Sequence, residues 1–579
     1  MHQETKLILS YSLFAFVMLT LLRLPVGFNV PNSDQLEQMP VLLRAIDADF
    51  LKNDWFTNKA SEGTIRLGYL LISYPFLKIM NYKVMLILFN LLTDFLTILF
   101  AVALFRRLTK EKRPLLIFLG LLVLGVSFLS FASILTIFFV PRKLAFLLIL
   151  IGITLAEYKK RGEFFCFLLA ALLHPHVSVI LIGSVYLARI LLKPDIRTIG
   201  ITVVKSLIFA VVIFAFYSPY FLLQLKQSHM AEAAYDIVAE VRAPALFHFL
   251  DAGFLMQVRL FGLLIAAVVL FFSKLYHEKS WRFLAAMNLI LMGFTLAHYF
   301  FTDILTIPSI SMQLLNRSTD ISFFIISFFV ADMLARFLHK NSSFTPLFIA
   351  LAGFTPLFII VIPFVIPFIL LFQMRDVRFS KTRIFVLLGL AGLVVLEIFY
   401  AIIFPISLNS LLLSTFMMLF AIVYALTGSA QRLFIKKHVV SIVIVIFVLM
   451  AISVTIDKID EIKKENIVMQ KLKSLTAPDA VLLLDPKSYL GNRARLLAER
   501  AIVVDMKAIP TNYEGIIEWG QRITDVQKIY PELESDEKLK EVVTEYNVGY
   551  ILHEKELQSP FLKEVEKLDA LRLYKVELH

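Results

Sequence analysis

At 579 residues, with 59% hydrophobic side chains, 54 Phe and 18% charged residues, the chain is too apolar for a string of water-soluble domains. Such composition leaves a polytopic membrane protein. The net charge of +12 is unevenly held: residues 457–579 contain 19 Lys and Arg against 23 Asp and Glu, so the excess of positive charge sits in the residues before them. That surplus belongs to membrane topology, where basic residues mark cytoplasmic span ends, and not to nucleic-acid binding.

Taken in order, the apolar run 7–22 reads as a retained first span rather than a cleaved signal peptide, with the N-terminus inside. A polar loop, 29–64, follows on the outer side. The run 66–80 is short, and counting it as a span would put the basic cluster 106–113 outside, so it reads as a juxtamembrane helix in the interface. Spans are then expected at 84–105, 115–134, 144–157, 199–217, 253–272, 283–301, 321–338, 384–403, 411–426 and 439–456. Two hairpins with short, Pro-broken arms are expected at 164–191 and 345–372. The fold class is thus an α-helical polytopic membrane protein of about 13–15 membrane segments. Its domains are a membrane domain, 1–456, and an extracytoplasmic α/β domain, 457–579, on the outer side of the membrane. Within that tail a helix is expected at 458–475, strands at 480–485, 501–507 and 548–553, a helical stretch after Pro510, and an edge strand at 571–578. No repeat, nucleotide fingerprint, Walker motif or Ser-centred elbow is present. The single cysteine, Cys166, excludes an intramolecular disulfide or a Cys-based metal site.

The loop 29–64 is where chemistry is expected. Asp34, Glu37, Asp47, Asp49 and Asp54 fall within it. An outward carboxylate beside a membrane cavity can activate an acceptor or hold a divalent cation, and oxygen ligands suit Mg²⁺ or Mn²⁺. Asp34 follows the turn-prone Pro31-Asn32-Ser33, with Glu37 one helical turn on. Two readings are open: a working carboxylate pair, or a helix cap with a complementary first-turn acid. Asp54, before Trp55, is either a third candidate or part of a polar turn with an interfacial anchor. His174 and His176 flank Pro175 at a hairpin tip, as a helix cap or as phosphate contacts.

Cations on the outer side run against the positive-inside bias. Arg142 with Lys143, Arg242 with His248, Arg259 within a span, and Gln313 with Arg317 form this group, and Arg suits bidentate capture of phosphate. The competing account pairs Arg259 and Arg317 with Asp251 and Asp320. In the tail, Arg495, Arg500, Lys507, Glu518, Trp519 and Arg522 either line an acceptor-facing surface or form a salt-bridge network. The functional expectation is geometric: the early carboxylates and scattered arginines converge on one wet cavity.

With SDQLEQMP and KNDWF in the loop, LLHPHV at the hairpin tip, RAPALFHF, MQLLNR, and Arg500 through Lys507 with EWGQR in the tail, the chain resembles GT-C type membrane glycosyltransferases. More narrowly it is similar to a bacterial branch of polytopic proteins with that core. The resemblance implies sugar transfer from a polyprenyl-phosphate or polyprenyl-diphosphate donor to an envelope lipid, glycan or protein. It implies a first-loop acid as base or metal ligand, a role that falls on Asp34, with Glu37 and Asp54 behind it. The chain lacks the WWDxG signature of the oligosaccharyltransferase branch and an adjacent acidic pair in the loop, so Mg²⁺, Mn²⁺ or no metal all stay open. The partners implied are membrane lipids and the lipid-linked donor. The alternative is a non-enzymatic lipid or glycan transporter, or an assembly scaffold.

Overall fold

The computed structural model describes residues 2–127, 138–340 and 459–578, apart from 28–29, 32–33, 63, 65, 243–247, 250, 252–253, 274, 277, 312–314, 461 and 531–534. The expected hairpin at 345–372, the three spans after it and the domain boundary at 456/457 lie outside the described residues.

Ten helices occupy the first part of the chain: α1 His2–Gly27, α2 Gln35–Arg44, α3 Trp55–Ser61, α4 Leu67–Leu77, α5 Tyr82–Leu108, α6 Lys112–Ser127, α7 Pro141–Glu157, α8 Glu163–Leu173, α9 Pro175–Leu192 and α10 Ile196–Phe216. Short helices follow to Arg242, then long ones at Phe254–Phe272, Lys279–Tyr299 and Ser318–Lys340. Six described helices are long and apolar enough to cross a membrane: α1, α5, α9, α10 and those beginning at Lys279 and Ser318. The protein is therefore a helical membrane protein. Helix α4, at 11 residues, reaches only about 17 Å against a hydrocarbon core of about 30 Å, too short to span. Helix α8 is equally short, broken at the His174-Pro175 step where proline removes a backbone donor.

The bundle closes through large apolar residues on facing helices. Phe105 of α5 stacks on Phe118 of α6 at 4.5 Å, and Phe118 meets Phe328 of the Ser318–Lys340 helix at 4.5 Å. Helix α10 instead exposes Val203, Leu207, Val211 and Phe214, an apolar face suited to lipid.

The tail is a three-layer α/β unit. Its five strands are β1 Val481–Leu483, β2 Ala501–Ile502, β3 Val548–His553, β4 Leu562–Leu568 and β5 Leu571–Val576, in the order β2-β1-β3-β5-β4. β2, β1 and β3 run parallel, while β5 and β4 form an antiparallel hairpin. Alternation along the strands divides the core. Leu483, Ile551 and Tyr574 face the helices Tyr513–Gln527 and Asp536–Glu545, and Leu482, Leu552 and Leu573 face residues 462–475 and the helix Tyr489–Leu497.

Three tail expectations are corrected. The strand expected at 501–507 is only two residues long, because Asp505 closes a turn. β4 was not anticipated, its Lys563, Glu564, Glu566 and Lys567 masking the alternation. The 571–578 strand is interior, with β4 outside it at the sheet's edge.

One close approach fixes α4 against the α8–α9 corner. A Cβ on Gly68 would lie 1.7 Å from the Leu172 carbonyl oxygen, which accepts from the Tyr217 hydroxyl at 2.6 Å. Gly68→Ala is expected to force the two elements apart and destabilise the chain by about 2 kcal/mol, read as a lower melting temperature in detergent.

Candidate functional site

The loop does not stand alone; the tail docks onto it. Asp54 caps α3, its carboxylate accepting from the Thr57 amide at 2.8 Å and the Thr57 hydroxyl at 2.6 Å. It also accepts from Arg495 Nε, at 2.9 and 3.1 Å, and from the Ile502 amide at 3.2 Å. Both Asp54 and Arg495 are fully buried. Arg495 lies over the Phe56 ring at 4.9 Å and donates its Nη1 to Asp505. Burial opposes the Arg495 charge, but Asp54 and Asp505 outweigh it and raise its proton affinity.

Asp505 continues the chain of contacts. Its other oxygen accepts from the amides of Lys507, at 2.8 Å, and Ala508, at 2.6 Å, and its carbonyl accepts from Trp519 Nε1 at 2.8 Å. Ala508 packs against Val41 of α2 and Phe56 of α3. The turn 505–508 is thus held at both ends, and it aims Lys507 back at the loop.

There Lys507 Nζ lies 2.9 Å from Asp34 Oδ1 and 3.5 Å from Glu37 Oε1. Arg142, at the start of α7, lies 3.4 Å from Asp34 Oδ2. Glu37 is held by Arg66, whose Nη2 is 2.8 Å from its carboxylate and whose Nη1 donates to its carbonyl at 3.0 Å. Asp34 stands at the N-cap position of α2 but makes no side-chain cap. Burial pushes the Asp34 carboxyl up, yet Arg142, Lys507 and then Arg317 overcome it and hold the group far below its ordinary range. A carboxylate in that state is a poor general base, which needs a proton affinity near neutrality.

His174 joins the same field. Burial, the His176 ring and the Arg317 and Arg142 charges keep its imidazole well below its ordinary range. Neutral, its Nδ1 accepts from the Val177 amide at 3.4 Å and so caps α9. The His176 ring lies 6.3 Å from it. The cluster assembled around Asp34 thus contains Glu37, Arg66, Arg142, Lys507 and, through their fields, Arg317 and His174. Four cations face two carboxylates, an arrangement suited to an anion with several oxygens.

Other expected members lie elsewhere. Arg259 is 3.5 Å from Asp320 and sits over Phe323, within the bundle. His248 pairs with Asp303 at 2.9 Å. The Arg242 side chain and Gln313 lie outside the described residues. The Asp54 carboxylate is taken up by Thr57, Arg495 and the Ile502 amide, which makes it a docking group between loop and tail in this arrangement. The tail residues turn inward rather than lining an open surface. Arg500 caps the helical stretch 462–475 by donating to the carbonyls of Lys473 and Thr476 at 2.6 and 2.7 Å. Trp519 is buried. Arg522 pairs with Glu518 at 2.9 Å and is sandwiched between Trp55 and Tyr546 at 4.6 and 4.5 Å. Among the described residues no group of three or more His, Cys, Asp or Glu side chains converges to hold a metal ion.

Sequence reasoning missed three participants. Arg66 was read only as the start of a short helix. Asp505 was hidden in an apolar strand, although an acid five residues before Pro510 is a turn signal. A buried pair was also missed: Lys143 Nζ lies 2.7 Å from Asp94 and 2.6 Å from Asn90 of α5.

Residues 463–526 match the family model of a domain of unknown function (DUF6798). The stretch contains Arg495, Lys507 and Arg522, which meet Asp54, Asp34 and Trp55 of the loop, and Asp505, which holds Arg495. A comparison with curated proteins finds no match.

Replacing Arg495 by Ala would leave Asp54 and Asp505 buried without their cation, at a cost of about 3–5 kcal/mol. Limited proteolysis of the detergent-solubilised protein is expected to release the tail far sooner than in the wild type. The Asp34 contacts carry a pH dependence of known sign. Because the folded carboxyl titrates below its unfolded value of about 3.9, these contacts contribute stability above that range and lose it only as pH falls through the depressed folded value. Tryptophan fluorescence, reporting on Trp55 and Trp519, is expected to show the junction unchanged from pH 7 to about 5, and to lose part of its acid transition in Asp34→Asn.

Proposed function

We propose that the protein is a GT-C type glycosyltransferase of a bacterial cytoplasmic membrane, with the loop and tail on the outer face. It moves a sugar from a polyprenyl-phosphate-type donor to an envelope acceptor. The observation that carries this reading is the Arg142–Asp34–Lys507 cluster, where a helix of the bundle, the first loop and the tail each contribute a charge to one place. In the transfer the bond from the anomeric carbon to the phosphate oxygen breaks, and its electron pair leaves with the phosphate. The acceptor oxygen bonds to that carbon and gives up its proton. Arg142 and Lys507, with Arg317 close by, stabilise the departing phosphate, so no strong acid is needed. The acceptor's proton needs a base; Asp34 is the carboxylate nearest those cations, and it can serve only once they no longer neutralise it.

The second reading is a lipid or glycan transporter. What favours it is the Lys143–Asp94 pair, buried within the helices, since ionisable groups at such depth mark pathways as often as anchors.

Mass spectrometry of polyprenyl-linked and surface glycans separates the two. Under the transferase reading, a gene deletion complemented with Arg142→Ala accumulates the lipid-linked sugar and loses the modified acceptor, by about tenfold or more. Unchanged glycans, with the variant expressed at wild-type level, would overturn it.

A further inference from the structure

The charge arrangement at Asp34 poses a chemical problem for any transfer at this site. The carboxylate that would act there is occupied by the two cations that would hold the donor. Its Oδ1 is 2.9 Å from Lys507 and its Oδ2 is 3.4 Å from Arg142. Glu37, one turn on, is committed differently: its closest cation is Arg66 at 2.8 Å, on another element, with Lys507 only at 3.5 Å. The Asp34 side chain makes no cap bond to its own helix and lies between the Arg–Lys pair, in the place an anion bound between them would take.

We propose that Asp34 is a placeholder for the donor's phosphate: the arriving phosphate takes Arg142 and Lys507 from it and in doing so releases its carboxylate to the acceptor. The inference rests on the glycosyl-transfer reading and deepens it. It sets an order of events, donor before acceptor, because a carboxylate neutralised by two cations is a poor base and gains proton affinity only once the exchange has happened. It also gives the tail a task. Lys507 reaches the site only because Arg495 and Asp505 hold the 505–508 turn, so the exchange needs the tail docked.

The test is a binding measurement in which the placeholder and an ordinary ligand residue have opposite signs. Full-length protein in lipid nanodiscs is titrated with polyprenyl monophosphate incorporated in the disc and, separately, with inorganic pyrophosphate. Removing a placeholder removes a competitor, so Asp34→Asn is expected to tighten binding by about tenfold, roughly 1.4 kcal/mol. Glu37→Gln deletes the same charge from the same helix and is expected to change affinity by less than about threefold. Lys507→Ala is expected to weaken binding by about tenfold or more. Limited proteolysis verifies that the tail stays docked in each variant, and Asp34→Ser serves as the second variant if Asp34→Asn does not.

Weaker or unchanged binding in Asp34→Asn would overturn the proposal, as would equal tightening in Glu37→Gln, which would reduce the effect to net charge. Tightening with polyprenyl monophosphate supports both the exchange and the donor reading. Tightening confined to pyrophosphate supports the exchange while overturning the lipid donor. No binding of either probe by the wild type would overturn the donor reading and the exchange with it.

Discussion

The Arg495 guanidinium, buried between Asp54 of the loop and Asp505 of the tail, is the contact on which the rest of the site depends. A charge taken out of water is tolerated only when every neighbour is an opposite charge or an acceptor, and here two carboxylates and the face of Phe56 supply that environment. Because its Nε is held by the loop acid and its Nη1 by the tail acid, the loop and tail are stable in this arrangement only together. The 505–508 turn, and with it Lys507, follows from that one requirement.

Charges in this protein fall into two kinds, distinguished by what surrounds them. Arg495 between Asp54 and Asp505, and Lys143 against Asp94, are buried contacts deep in the fold, where the low dielectric makes each strong and an alternative partner inaccessible. The cluster at Asp34 is partly open, with Asp34 and Arg142 each about one-fifth exposed, and its cations outnumber its carboxylates. The buried contacts are closed to a ligand; an accessible cluster with an excess of cations keeps electrostatic free energy available for one. That contrast is the physical basis for placing function at Asp34 rather than at the acid with the most hydrogen bonds.

Much of this was legible in the sequence where a single property decided the outcome. Apolar runs near 20 residues marked α1, α5 and α10, and the brevity of the 66–80 run separated α4 from the spans, because hydrocarbon thickness sets helix length directly. The loop's acids and Arg142 were identified as residue types out of keeping with their surroundings, and Lys507 only as one of the tail's charged residues. What could not be read was pairing. Nothing local says that Asp54 meets Arg495, more than 400 residues away, while Asp34 meets Lys507. Both loop acids follow turn signals and both precede helices. The difference arises from tertiary packing: Ala508 wedges against Val41 and Phe56 and brings Lys507 to α2. The same limit explains Arg259, whose partner Asp320 was named only as a competing possibility. Likewise β4 was masked because its charged edge positions break the alternation on which strand reading depends.

The sheet of the tail has two unlike flanks. Along β4 the outer flank presents Lys563, Glu564, Glu566 and Lys567, charges that repel another strand seeking to extend the ladder. β2 has no such guard: its residues are Ala501 and Ile502, and the Ile502 amide that points away from β1 is met by the Asp54 carboxylate instead. The membrane loop therefore serves as the missing sentinel of the soluble sheet. Freed from that carboxylate, the tail would present a short, greasy, unshielded border to its neighbours, so its solubility as well as its position is on loan from the segment it rests upon.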